Sequence, residues 1–490
     1  MFSKFIELVR QAIKKMVGYK DVSETIEDTD VEISISSAMK DAVALWRNIY
    51  KDKSPWLDEE NGIYSLQLGK TICQGMRVQT LSEMTSEIVS KTDVETANIL
   101  NYQYQNHVLT KLGDEIEKGM ALGSLIMKPY VVNDNIYIDF CVQGTFVPIA
   151  YDDDGNIIDV VFPDIYTVGD TVYTRLERQT FNAQEKKIVI ENKCYKSDKK
   201  EDEDDNQRLG QEVELETVSK WSDIEPIVTI EDVEKSLFGY YKVPLTNNID
   251  LDSPLGISVF SPAVNMIQRA DEQFSRLDWE YEGGQMAIDV DDTALHSQST
   301  YFGGQSKTRT KMDRTRNRLY RRLDLGAEDT YNVFAPNLRD ASYLEGLDKY
   351  LTKIEDNVGL ARGMISSVES EARTATEIKI LKQKTFITIK AHQTSIQHAL
   401  EDLVYAMSVI AKLYKITKTV GDCEVNTDWK DSILTDTQEE LNQKLQLVGE
   451  GILGKAEVRA WYTGEDLETA QDAIDNITEP MLDDLYSTIE

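Results

Sequence analysis

Residues 253–284 read SPLGISVFSPAVNMIQRADEQFSRLDWEYEGG, and this stretch decides the fold. Ser253-Pro254 is an N-terminal helix signal, with Ser261 and Pro262 in the early turns behind it. From 259 to about 282 the apolar residues Val264, Ile267, Ala270, Phe274, Leu277 and Tyr281 recur three and four apart, which predicts a long helix. At the usual rise it would span roughly 36 Å. Gly283-Gly284 stops it. A second long helix is predicted over 340–357, ending near Gly359, and a polar loop from Arg362 to Arg373 leads to a third over 374–414. That third helix opens on Thr374-Ala375-Thr376-Glu377, which has the form of a capping box. It would reach about 60 Å, a length at which a kink or break is expected.

Upstream, the first 120 residues read as helical: an amphipathic segment to about Val17, a helix over 35–50, and apolar residues three and four apart over 80–122. The period then changes to alternation. The runs 136–140, 157–161, 171–176 and 187–190 predict strands, and Asp152-Asp153-Asp154-Gly155-Asn156 predicts a hairpin turn. The expected antiparallel region covers roughly 125–245. Downstream, residues 421–490 hold 18 acids and 4 bases, which marks a separate acidic helical subdomain. The fold class is therefore α+β, mainly helical. A chain of 490 residues at 41% apolar composition builds two to four globular domains.

The net charge of −33 excludes a protein that coats nucleic acid or anionic lipid over its whole surface. No run approaches the roughly 20 apolar residues of a bilayer span, and the N-terminus lacks the apolar core of a signal peptide. Cys73, Cys141, Cys194 and Cys423 lie far apart without a C-x-x-C, so free thiols in a reducing compartment are expected.

Enzyme motifs fail on inspection. Gly69-Lys70-Thr71 has Tyr64 where a phosphate loop needs its first glycine. Asp152 to Gly155 is spaced as in a calcium loop, yet with Gly155 sixth the first position is Ala150 and the twelfth Val161. His107, His296, His392 and His398 read as structural, because the last two are six apart and do not share a helix face. No nucleophile elbow is present, and the many carboxylates single out no acid/base pair. No metal, cofactor or catalytic residue is expected.

Two charged runs stand out. Residues 199–206 contain no apolar side chain and read as a solvated loop tip, with an ion or partner site as the alternative. Lys307, Arg309, Lys311, Arg314, Arg316, Arg318, Arg321 and Arg322 place eight bases in sixteen residues with Asp313 the only acid. This run is either a solvated face paired with nearby carboxylates, a dock for an acidic partner, or a patch for nucleic-acid backbone. Aromatic platforms for single strands are thin there, limited to Tyr301, Phe302 and Tyr320.

The order of parts resembles the portal proteins of long-tailed, double-stranded DNA bacteriophages of Gram-positive hosts. The residues that carry the likeness are Pro244-Leu245-Thr246-Asn247-Asn248-Ile249-Asp250 running into Ser253-Pro254-Leu255-Gly256-Ile257-Ser258-Val259-Phe260. With them go Phe146-Val147-Pro148 before the Asp152–Gly155 turn, Gly359-Leu360, Thr374-Ala375-Thr376-Glu377, and Lys390-Ala391-His392-Gln393. The likeness covers about residues 30 to 415 and is specific as an ordered set. It departs from the family at Gly359-Leu360-Ala361-Arg362-Gly363-Met364, where the usual small-residue and aromatic pattern is altered.

The resemblance implies a wing over 1–254, a stem helix over 255–283, a clip over 284–338 and a second stem helix over 339–360. A tunnel loop over 361–373, a long wing or inner helix over 374–420 and an acidic crown over 421–490 follow. It implies a ring of about twelve copies at one capsid vertex, through which double-stranded DNA is packaged and later ejected. The implied partners are the terminase large subunit, head-completion or adaptor proteins, and the major capsid and scaffolding proteins, with no membrane. The implied locations are the virion and, during assembly, the host cytoplasm. Arg362, Ser366, Ser367 and Arg373 would line the DNA channel, and the basic run would dock a partner, with direct DNA contact second. Another structural ring or adaptor protein, or a magnesium-dependent nuclease, are the competing readings.

Overall fold

The computed structural model describes residues 35–198, 211–251, 253–291, 298–302, 305–309, 320–323, 331–367, 375–429 and 437–478. The expected N-terminal amphipathic helix, the acidic run 199–206, His296 and the Thr374 cap lie outside them. The chain is mixed α and β, about 45% helix and 25% strand. It forms two compact units, Met1–Val78 with Glu87–Asn426, and Gln79–Ser86 with Thr427–Glu490.

In the first unit, α1 (Ser37–Tyr50) is capped by Ser36, whose hydroxyl accepts from Met39 N at 3.3 Å. It buries Met39, Val43, Trp46 and Ile49, one face at helical period. Helix α2 (Leu68–Leu81) follows, with Gly69 against Ile49 of α1. The expected all-helical stretch 80–122 is corrected. Strand β1 (Met84–Val89) opens it, because Met84-Thr85-Ser86-Glu87-Ile88-Val89 buries alternate residues, Ser86 and Ile88. Then come α3 (Val94–Tyr104), a π-helical turn (Gln105–Leu109) and α4 (Thr110–Leu122).

The antiparallel region is built of two sheets. Strands β2 (Ser124–Val132), β3 (Asn135–Val142) and β10 (Gly239–Lys242) run in the order β10-β2-β3. Strands β4 (Val147–Tyr151), β5 (Ile157–Val168), β6 (Thr171–Asn182), β7 (Lys187–Asp198) and β8 (Gln211–Val213) form the second, with β9 (Ile227–Glu231) on β7. Asp152 makes the β4–β5 turn, its carboxylate accepting from Asp154 N at 3.0 Å and Asn156 N at 2.7 Å, with Gly155 at φ +83°.

Helix α4 ends at Gly123, φ +103°, where the chain turns into β2. The segment leading to the next helix crosses there: a Cβ on Gly256 would lie 2.0 Å from the Gly123 carbonyl oxygen. Val243 N donates to that same oxygen at 3.0 Å, and Val259 N donates to Met120 O at 3.0 Å. Residues 253–258 form neither helix nor strand as they pass the Gly123 turn, which corrects the reading of Ser253-Pro254 as a helix start. A 3₁₀ turn (Ser261–Ala263) with Pro262 in its first positions leads into α5 (Val264–Gly283), five residues later than the expected start at 259.

Between α5 and α6 (Asp340–Val358) the regular structure among the described residues is strand. Strand β11 (Ala287–Asp291) pairs parallel with β14 (Tyr320–Leu323) and antiparallel with β15 (Tyr331–Phe334), while β12 (Gln298–Phe302) and β13 (Gln305–Arg309) form a hairpin. The two helices run antiparallel. Asn357 Nδ2 donates to Pro262 O at 3.2 Å at one end, and Gln273 Nε2 to Tyr343 O at 3.2 Å midway. At the other end Glu280 accepts from the Arg339 backbone N at 3.0 Å and its guanidinium at 2.7 Å.

Helix α7 (Ala375–Leu413) runs unbroken for 39 residues, correcting the expected break. Its middle buries Ile389, His392, Ile396, Ala399, Leu400 and Leu403, and lies on β10 and β2. Gly239 permits that approach, since a Cβ there would sit 2.1 Å from Ala399 O. His392 is buried with Nδ1 2.8 Å from Tyr241 Oη, and burial pushes its pKa down to about 4.

In the second unit, the Ser86 and Thr427 hydroxyls meet at 3.0 Å where β1 and β16 (Glu424–Trp429) pair. Helices α8 (Thr437–Gly449), α9 (Lys455–Thr463) and α10 (Leu467–Thr478) follow. Glu457 closes the start of α9 on Gly454 N at 2.7 Å, and Lys444 lies over the Trp461 ring at 4.7 Å.

Two predictions follow from this packing. Gly256→Ala should cost about 2 kcal/mol or more in denaturant unfolding, whereas Gly75→Ala, facing open space, should be neutral or stabilising. For His392, the unfolded imidazole gains its proton near pH 6.5 and the folded one only near 4, so stability should fall as pH drops through that window. The loss should total about 3 kcal/mol, and His392→Phe should flatten the pH dependence. An unchanged slope in the variant would reject the role of this histidine.

Candidate functional site

The αL residue Gly359, φ +82°, ends α6 and turns the chain into the polar loop predicted from sequence. Thr388 of α7 packs under this turn, so that a Cβ on Gly359 would fall 2.5 Å from its hydroxyl. The loop then folds back along α6. Arg362 reaches Asp356 with Nε at 3.3 Å and Nη2 at 3.0 Å, a two-point contact. The guanidinium holds the Asp356 carboxyl below its usual range, and Lys384 and Lys353 add to the effect.

One residue earlier on α6, on another face of the helix, stands Glu355, fully buried. Its carboxylate accepts from Ile365 N at 2.5 Å, Ser366 N at 2.9 Å, Ser366 Oγ at 2.7 Å and Gly363 N at 3.3 Å. Four donors converging on one carboxylate replace the water it lost on burial. Two turns before, Asp348 accepts from Ser367 N at 2.8 Å and from the Ser367 hydroxyl. The loop is therefore clasped to α6 by three carboxylates, at 348, 355 and 356. Lys384 of α7 donates to Asp356 O at 2.5 Å and closes the helix end.

The clasp frames a cleft of about 230 Å³ lined by Lys349, Thr352, Lys353, Arg362, Ser366 and Ser367 together with Asp348 and Asp356. Lys349 and Lys353 are one helical turn apart; among the described residues neither closes an ion pair with a carboxylate, and Lys353 acts on Asp356 only at longer range. Of the four channel residues expected from sequence, the structure brings together Arg362, Ser366 and Ser367; Arg373 lies outside the described residues. The serines face carboxylates and hold the loop, so Arg362 is the member with a charge to offer a ligand. Sequence reasoning missed Asp348, Lys349, Lys353, Glu355, Asp356 and Lys384. Their helical spacing along α6 was the available signal.

The basic run is divided. Lys307 and Arg309 lie on β13, in register with Thr300 and Gln298 of β12, while Arg321 and Arg322 lie on β14 beside Asp289 and Val290 of β11. Lys311, Arg314, Arg316 and Arg318 fall outside the described residues. Other sequence-flagged groups have structural surroundings. His107 packs on the Tyr137 ring at 4.4 Å, His398 is exposed, and Cys73, Cys141 and Cys194 are buried and unpaired. Burial pushes the Cys194 thiol up to about 11, away from reactivity.

Among the described residues no group of three or more His, Cys, Asp or Glu is placed to hold a metal ion, and no helix is long and apolar enough to cross a membrane. No protein-family model matches the chain, and no curated protein matches it.

The clasp is testable by proteolysis. Glu355→Ala should leave the Gly363, Ile365 and Ser366 donors without their acceptor and cost about 3 kcal/mol. It should also speed tryptic cleavage after Arg362 at least tenfold with helix content preserved. A cleavage rate equal to that of the unaltered chain would show that Glu355 does not hold the loop.

Proposed function

We propose that this chain is a structural portal protein, assembling as a ring of about twelve copies through which double-stranded DNA is packaged and later released. The observation that carries the reading is the antiparallel pair α5 and α6, separated by an insert whose regular structure, among the described residues, is strand, and followed by a short charged loop and a 39-residue helix. Two long helices side by side give a wall, and the insert between them gives a module at one end of it. A ring built from such walls uses a heterologous interface that closes on itself. On this reading α5 and α6 are the stem, residues 284–338 the clip, residues 361–373 the tunnel loop, and residues 421–490 the crown. The clip, with its basic run, docks the terminase large subunit and later the head-completion proteins.

The charge balance supports a conduit. Each phosphate neutralised by a lysine or arginine adds salt-dependent affinity, and a channel that neutralised many would hold the duplex still. A chain of net charge −33 repels DNA over most of its surface and leaves contact to a few placed bases. No catalytic role is assigned.

Solution mass and negative-stain images test the reading. A ring of about twelve subunits with a central hole is expected. A monomer at every salt concentration overturns it, and metal-dependent cleavage of plasmid would favour a nuclease instead. In assembled rings, Arg362→Gln with Arg373→Gln should alter DNA packaging or retention; unchanged packaging rejects the loop assignment.

A further inference from the structure

The cleft between α6 and the loop points to a ligand. We infer that it binds a single phosphate group, held by Lys349, Lys353 and Arg362, with Asp356 as an internal competitor that keeps the grip weak. The chemistry is that of a phosphate monoester or diester. Its two sources are a backbone phosphate of duplex DNA, which rests on the portal reading, and free phosphate, which does not.

Four features support this site. First, the cleft is concave and polar, with a volume of about 230 Å³, room for a tetrahedral anion and part of its hydration. Second, Lys349 and Lys353 line it one turn apart, and among the described residues neither closes an ion pair with a carboxylate, although Lys353 lies within the field of Asp356. Other bases of this acidic chain do close such pairs, as in Lys220–Asp164 at 2.8 Å and Lys235–Asp402 at 2.7 Å. Third, two of the three nearby carboxylates are spent on the loop: Glu355 on backbone amides and Ser366, Asp348 on Ser367. Fourth, Asp356 stands in the position of an anion already. It takes both arms of Arg362 and feels Lys353 and Lys384, which is the set of partners a phosphate would use.

The last point sets the affinity. An incoming phosphate shares or displaces Asp356 at Arg362, so binding is opposed by an internal ion pair. Removing the competitor must strengthen the site, an outcome opposite to that of deleting an ordinary structural ion pair. The Lys349–Lys353 pair supplies the charge that draws the anion in, and the clasped serines fix the wall against which it sits.

The test uses the full chain in two arms. Inorganic phosphate is titrated by calorimetry, and a fluorescent 30-base-pair duplex by anisotropy between 50 and 300 mM NaCl. Asp356→Asn should tighten binding about threefold to tenfold, and Lys349→Gln with Lys353→Gln should weaken it about tenfold. The double variant should also reduce the slope of log affinity against log salt by about one for each phosphate held. Phosphate binding that responds to both variants, with a duplex slope that does not, identifies free phosphate as the ligand. Response in both arms identifies the DNA backbone. If the lysine substitutions leave both arms unchanged, or Asp356→Asn weakens binding while the fold by circular dichroism is intact, the site is rejected. The portal reading is scored separately by the presence of rings, so rings with unresponsive clefts reject only this inference.

Discussion

The contact between Gly123 and Gly256 is the constraint on which the rest of the first unit depends. Two backbones cross there with no side chain between them, and the crossing joins three things: the end of α4, the start of β2 and the segment that feeds α5. Val243, at the exit of β10, donates to the Gly123 carbonyl from the other side. A carbonyl buried in this way must be satisfied, and the chain does so with its own backbone. The direction of α5 is thereby set by the sheet. Asp271 reinforces it, its carboxylate accepting from Trp56 Nε1 at 2.9 Å and Leu66 N at 2.8 Å, although burial pushes its pKa up.

A second constraint passes that direction on to the loop. Helix α6 is fixed against α5 through Glu280 and Arg339 at one end and through Asn357 and Pro262 at the other. Once α6 is placed, Glu355 is buried, and with no ion pair among the described residues its carboxylate needs hydrogen-bond donors. The loop is the nearest source of unpaired amides, so the clasp follows from the burial of one residue. Residues 363–367 are held by the same helix that presents Lys349 and Lys353. The cations and their wall therefore move as one body.

Much of this was legible in the sequence, and the parts that were not share a cause. The helices at 264–283, 340–358 and 375–413 announce themselves because each buries a stripe, which fixes the apolar period. The antiparallel strands were legible for the corresponding reason, alternation bounded by turns. Strand β1 was not, since only Ile88 of its apolar residues is buried and its six positions sit among helical spacings. Helix α2 falls within the stretch read as helical, but its bounds were not legible because two glycines and several polar residues dilute its pattern. The start of α5 was misplaced because Ser253-Pro254 has the chemistry of a cap while Gly256 has tertiary work that overrides it. The acidic half of the site was illegible for a different reason. With 86 acidic residues in the chain, nothing local distinguishes Glu355 from its neighbours. Only the packing of α6 decides which carboxylate loses its water.

The same argument explains why the local sign of charge differs from the global one. A chain of net −33 cannot present a strong cation cluster without attracting its own carboxylates, as Lys128, Arg175 and Arg178 on the large sheet show. The cleft escapes because the carboxylates beside it are already engaged by hydrogen-bond donors from the loop. Each donor that binds Glu355 or Asp348 lowers the attraction those groups exert on Lys349 and Lys353. Hydrogen bonding in the clasp thus works as electrostatic tuning: it leaves the lysines available without adding any base. On the proposed reading, that is the quality a conduit for a polyanion needs, a contact strong enough to register one phosphate and too weak to keep it.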